Sequence, residues 1–118
     1  MTVRWKKMND MTQVERKADM PAYIIVQIDI TDPSTYERYK VLAPPSIKAY
    51  QGKYIARGGR TETLEGSWAP SRLVLLEFPD MDAARAWANS PEYAEAKALR
   101  QSAAHAEMLL VEGLAVPI

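Results

Sequence analysis

The chain predicts an α+β domain with one antiparallel sheet and both helices on a single face. Three observations carry that expectation. Strand-like runs and helix-like runs alternate as strand, helix, strand, strand, helix, strand. Each helix-like run opens on its own capping residue and proline or acidic turn. And one central run, Arg72 to Phe78, is apolar on both of its faces.

The first strand is expected over Tyr23 to Ile30, with Ile24, Val26, Ile28 and Ile30 on one face and Tyr23, Ile25, Gln27 and Asp29 on the other. Asp32 is a good helix N-cap and Pro33 fits the first helical position. The helix that follows carries Tyr36, Tyr39 and Ala43 on one stripe and is expected to stop near Ala43, because Pro44 disfavours helical geometry in the residue before it. A second short helix is expected from Ser46 to Gln51, closed by Gly52.

The second strand is expected over Lys53 to Arg57. After Gly58-Gly59 it is expected to resume from Thr61 to Gly66, beyond a bend or bulge, with a hairpin tip near Ser67. The third strand places Val74, Leu76 and Phe78 on one face and Leu73, Leu75 and Glu77 on the other. Asp80 caps a helix over Met81 to Asn89. Ser90-Pro91-Glu92 restarts it to about Ala104, with Tyr93, Ala96, Leu99 and Ala103 inward, and the last strand runs from Glu107 to Glu112. Right-handed crossovers place both helices on one side of the sheet. The result is a ferredoxin-like βαββαβ sandwich of strand order 4-1-3-2. Its other face, apolar along the third strand, lacks a cover within the chain, which predicts a homodimer burying sheet against sheet.

The chain has 118 residues with Lys+Arg and Asp+Glu balanced at 15 each, so charge gives no reason to expect nucleic acid or an anionic membrane as partner. Cysteine is absent, which removes disulfides and thiolate chemistry. No apolar run approaches the roughly 20 residues of a membrane helix. A cytoplasmic location is the default expectation. Residues 1–19 read as an N-terminal extension, either a flexible tail, a short weakly amphipathic helix or an arm onto a partner subunit, and residues 20–118 as the domain.

Arg57 and Glu77 are the first candidate pair. A hairpin turning near Ser67 sets them roughly opposite each other, and charge on apolar strands needs a reason. That reason is either a structural salt bridge or a site in which Arg57 holds a substrate carboxylate or enolate while Glu77 or Tyr39 handles a proton. Gly58 and Gly59 fit no nucleotide-binding pattern; they mark a bulge or leave room for a ligand beside Arg57. Tyr36, Trp87 and Tyr93 are core aromatics that can line a ligand site. His105, the lone histidine, is expected near a helix C-terminus as a dipole partner, with a general base or a haem ligand as the alternatives. One histidine and no cysteine argue against a protein-built transition-metal site, and no cofactor is expected.

Several segments together resemble the DUF1330 family: Met20-Pro21-Ala22-Tyr23-Ile24, Asp32-Pro33 with Tyr36 and Tyr39, Gly52-Lys53-Tyr54, Arg57-Gly58-Gly59, Glu65-Gly66-Ser67-Trp68, Arg72 to Pro79, and Ser90-Pro91-Glu92-Tyr93 with Arg100. The resemblance runs from about Met20 to Gly113 and implies a dimeric α/β barrel. The family name records no activity. Relatives on the superfamily fold include cofactor-free monooxygenases, lactone isomerases and haem-handling enzymes; the cofactor-free oxygenases often use a polar amide near strand one, where this chain offers Gln27 and Asp29, and no asparagine. The function expected is that of a cofactor-independent enzyme acting on a small carboxylate or carbonyl compound. The alternative is a non-catalytic dimeric module that binds a ligand or partner. Arg100 joins the candidate ligand-binding residues through this resemblance.

Overall fold

The computed structural model describes residues 20–115; the expectations for residues 1–19 lie outside them. Among the described residues four strands and three helices follow one another as β1 (Ala22–Ile30), α1 (Pro33–Ala49), β2 (Lys53–Arg57), β3 (Leu73–Phe78), α2 (Met81–Ala88), α3 (Pro91–Ala103) and β4 (Ala104–Glu112). The sheet order is β2-β3-β1-β4 with every neighbouring pair antiparallel, which is the expected ferredoxin-like arrangement. Each helix begins as its sequence dictates. Asp32 accepts from the Thr35 amide, Asp80 from Ala83 and Ser90 from Tyr93, so a donor of each first turn is satisfied by a side chain.

The core lies between sheet and helices. Ile24, Val26 and Ile28 of β1 and Val74, Leu76 and Phe78 of β3 meet Tyr36, Ala43 and Ile47 of α1, Ala84 and Trp87 of α2, and Tyr93, Ala96 and Ala103 of α3. Trp87 is the centre of this layer. Its ring stacks 4.1 Å from that of Tyr93 and 5.5 Å from that of Phe78, and its indole N–H donates to Ser46 Oγ at 3.0 Å. The opposite face presents Tyr23 and Ile25, Leu73 and Leu75, Leu109 and Val111, and among the described residues no helix covers it.

Three expectations need correction. The first helix does not stop at Ala43; α1 runs unbroken through Pro44 and Pro45 to Ala49. Its inward stripe of Tyr36, Ala43, Ser46 and Ile47 is continuous across the prolines, so packing carries the helix past them. The segment from Thr61 to Gly66 is not strand. Residues 58–72 form a loop, pinned to β1 by the Trp68 indole on Gln27 Oε1 and by Ser71 Oγ on the Ile28 carbonyl and Asp29. Finally, β4 starts at Ala104, not Glu107, which moves His105 from a helix end into the strand.

Candidate functional site

The expected Arg57–Glu77 pair does not form. Arg57 lies opposite Val74, and Glu77 lies between Lys53 and Tyr23. A register shift between Tyr54 and Ala56 is the cause. One extra residue in β2 reverses the side on which everything after it points. Tyr54 opposite Leu76 and Arg57 opposite Val74 therefore both face the helices, while Glu77 shares the outer face with Leu73 and Leu75. The long loop, in place of a tight hairpin, also slides the pairing away from the alignment that a turn at Ser67 would impose.

Facing inward, Arg57 reaches a cleft between the sheet and α1. The cleft is lined by Val26, Ile28, Val74 and Leu76 from the sheet, by Ile47 and Trp87 at its floor, and by Tyr36, Tyr39, Lys40, Tyr54, Arg57 and Arg72 as its polar groups. The cavity itself is small, about 10 Å³, room for a single water.

Each polar group is held by a specific neighbour. Arg57 Nη2 donates to the Lys40 carbonyl at 2.9 Å, and its guanidinium lies 4.4 Å from the centre of the Tyr54 ring. Arg72 Nε donates to the Tyr36 hydroxyl at 3.2 Å, with its guanidinium 5.5 Å from the Tyr36 ring. Arg72 is admitted by Gly58, whose left-handed backbone (φ +69°) bends the chain away. A Cβ there would come within 2.1 Å of Arg72 Nη1. Tyr39 and Tyr93 share a hydrogen bond of 3.3 Å between their hydroxyls, and Arg100 Nε donates to Tyr93 from behind at 3.1 Å.

The charge balance is one-sided. Among the described residues Arg57, Arg72 and Arg100 have no carboxylate partner; the ion pairs are Lys40–Glu37 and Arg85–Asp82. Among the described residues no carboxylate or imidazole lines the cleft. Burial pushes the Tyr39 phenol far above its ordinary pKa of 10.0, reinforced by the neighbouring Tyr93. Burial raises Tyr54 as well, against the opposing pull of Arg57. Both phenols are thus neutral hydrogen-bond donors at physiological pH. The cleft offers positive charge and donors, and no base.

The structure brings together Arg57, Tyr39, Tyr36 and Trp87 around this cleft, with Gly58 shaping it and Tyr93 and Arg100 directly behind. It separates the others. Gly59 faces open space, with nothing within 4 Å of a Cβ built on it. His105 is exposed opposite Asp29, in an open groove along β4 that Arg100 also lines. Glu77 is on the wrong face. Sequence reasoning missed Arg72, Tyr54 and Lys40 as site residues. Arg72 shares the parity of Val74 and Leu76, and that signal was sufficient to aim it inward. Tyr54 was hidden by the bulge. Among the described residues no three His, Asp or Glu side chains cluster as metal ligands, and no helix is long and apolar enough to cross a membrane.

Solved structures share this fold at low identity. A protein of unknown function from Rhodopseudomonas palustris is 17% identical, with 92% of this chain and 95% of that one covered at a TM-score of 0.68. A candidate antibiotic biosynthesis monooxygenase from Caulobacter crescentus is 14% identical, covering 89% and 99%, at a TM-score of 0.56. SnoaB, a cofactor-independent oxygenase from Streptomyces nogalater, is 13% identical, covering 85% and 99%, at a TM-score of 0.52. At these identities the likeness speaks for the fold alone. No curated protein matches the chain. Residues 21–114 match the family described as a domain of unknown function, DUF1330, and the chain belongs to that family.

Proposed function

We propose that the chain binds a small, partly apolar carboxylate or enolate in the cleft between sheet and helices, and acts on it as a cofactor-independent enzyme. The observation that carries the reading is the pair of guanidinium groups, Arg57 and Arg72, both at the cleft and both without a carboxylate partner. Arg57 is exposed and Arg72 half-buried, so both guanidinium groups are reachable from solvent and keep donors that an anion can take. Guanidinium forks match a carboxylate or enolate well. The exposed Met108 and the half-buried rings of Tyr39 and Tyr54 give the body of such a molecule apolar surface to lie on. The enclosed space holds one water, so the anionic group of the ligand meets the anchored Arg57 and Arg72 at the mouth of the cleft.

The chemistry this arrangement favours is stabilisation of developing negative charge. Two arginines and neutral phenols supply it, and Tyr39 can donate a proton or a hydrogen bond to an oxyanion. A substrate that loses its proton readily would suit a cleft without a base. That SnoaB is a cofactor-independent oxygenase on the same fold is consistent with such chemistry. The lack of a base equally favours a second reading, a dimeric module that binds the anion without transforming it.

The uncovered sheet face supports a homodimer in either reading. Leu109 is 64% exposed and Trp68 59% exposed beside Ile25, Leu73 and Leu75. Native mass spectrometry of protein purified gently from its host tests both points at once. The expected spectrum is a dimer retaining an organic acid, with the acid lost on Arg57→Ala. A monomer, or a retained cation or amine, contradicts the reading.

A further inference from the structure

The hydrogen bonds behind the cleft have a direction. Tyr93 is 1% exposed, and its hydroxyl oxygen accepts from Arg100 Nε at 3.1 Å. An arginine is donor only, so the Tyr93 proton must go elsewhere. Among the described residues the one acceptor in reach is the Tyr39 hydroxyl at 3.3 Å. Had Tyr39 donated instead, the Tyr93 proton would be buried without a partner, which costs more than the bond gains. The order is therefore Arg100 to Tyr93 to Tyr39. Tyr39 then has its own proton left over, and Tyr39 lines the cleft where Tyr93 and Arg100 do not. A chain that starts on a cation is polarised along its length, and each bond strengthens the next.

Tyr36 repeats the pattern on the other side. It is 2% exposed, its oxygen accepts from Arg72 Nε at 3.2 Å, and its proton has no acceptor among the described residues. Every side-chain proton left free on Tyr36, Tyr39, Arg57 and Arg72 is thus in search of an acceptor. Arg100 itself is 8% exposed and lines the open groove along β4, so its charge is held next to solvent without entering the cleft.

We infer that Arg100 is a positioning residue: acting through Tyr93, it fixes the Tyr39 hydroxyl as a donor into the cleft, so that the cleft selects a deprotonated oxyanion over an alcohol or amine of the same shape. This rests on the anion-binding reading of the cleft and adds to it the way selectivity is set. Arg100 touches no ligand. Its effect is to deny Tyr39 the alternative of accepting from a ligand hydroxyl while donating to Tyr93.

The test compares benzoate with benzyl alcohol, by calorimetric or NMR titration of the full chain and its variants. Wild type binds benzoate in preference to benzyl alcohol. Tyr93→Phe and Arg100→Gln each lower benzoate affinity by about tenfold, the range for a hydrogen bond to a charged group, and leave benzyl alcohol affinity within about twofold. The double variant is no worse than either single one, because both cut the same chain. Benzoate binding that survives both substitutions but is lost on Arg57→Ala overturns the positioning role and leaves the anion cleft standing. An equal loss for both probes, with a lowered thermal midpoint, makes Arg100 merely structural and also overturns it. Absence of benzoate binding to wild type removes the anion cleft, and the positioning role with it.

Discussion

Arg57 donates to the carbonyl of Lys40, at 2.9 Å, and this is a carbonyl that Pro44 leaves without its helical donor. In an unbroken helix the amide four residues on would fill it. Proline has no amide hydrogen, so the guanidinium of an adjacent strand takes the place. The other guanidinium nitrogens remain available to the cleft. One side chain thus repairs a helix and offers charge to a ligand, and the two roles separate by substitution.

Arg57→Ala is expected to abolish anion binding while costing about 1 kcal/mol of stability, the ordinary worth of one hydrogen bond. Pro44→Ala restores the amide donor to Lys40 and frees Arg57 from its anchor. It is expected to weaken benzoate binding without lowering the thermal midpoint. Titration calorimetry and differential scanning calorimetry on both variants check this. Unfolding or loss of oligomeric state in Arg57→Ala would show that the residue is structural only.

The two glycines after Arg57 should behave differently despite being neighbours. Gly58→Ala forces a left-handed backbone on a residue with a Cβ and drives that Cβ into Arg72. A stability loss of about 1–2 kcal/mol for the backbone alone is expected, together with reduced anion affinity as Arg72 is pushed aside. Gly59→Ala meets nothing within 4 Å and should be close to neutral in both measurements. Equal effects at the two positions would contradict the placement of Arg72.

Alkaline pH should destabilise the fold through Tyr39 and Tyr54. Both have folded-state pKa values raised above the ordinary 10.0. The contribution is fully present below pH 10 and is lost as pH rises beyond it, because the unfolded chain ionises first. Tyrosinate absorbance should therefore appear for these two residues together with unfolding, and Tyr39→Phe should reduce the alkaline loss. Independent ionisation of all six tyrosines well before unfolding would refute it.

Leu109→Glu places a charge on the outer sheet face, at a side chain 64% exposed in the single chain. It is expected to convert a dimer to a folded monomer, read by light scattering with circular dichroism as the control. An unchanged mass would move the interface elsewhere.

How far the sequence was legible depended on the distance over which each signal acts. Alternation along Ile24, Val26 and Ile28, and caps at Asp32, Asp80 and Ser90, are local, and they placed nearly every element. The candidate site turned on longer-range facts. Whether Arg57 faces in or out depends on one extra residue in β2 and on a loop of fifteen residues (58–72) whose side-chain bonds to β1 have no periodicity. Pro44 read locally as a stop. Tertiary contacts make it tolerable: the packed stripe of Ala43, Ser46 and Ile47, and Arg57 on the Lys40 carbonyl. Arg100 occupies the inward position where Leu99 was expected, and nothing short of Tyr93 above it explains a buried cation there.

The bulge in β2 has one more effect, on how copies of the chain meet. β2 is an edge strand of five residues, and an edge with free amides and carbonyls invites another strand to extend the sheet. The irregularity at Ile55 spoils the spacing of that edge, and the exposed Lys53 adds a charge to be desolvated. End-to-end growth is disfavoured on this side, while the flat apolar face remains open. The irregularity that delivers Arg57 to the cleft is therefore also a guard against edge-to-edge, fibrous self-association.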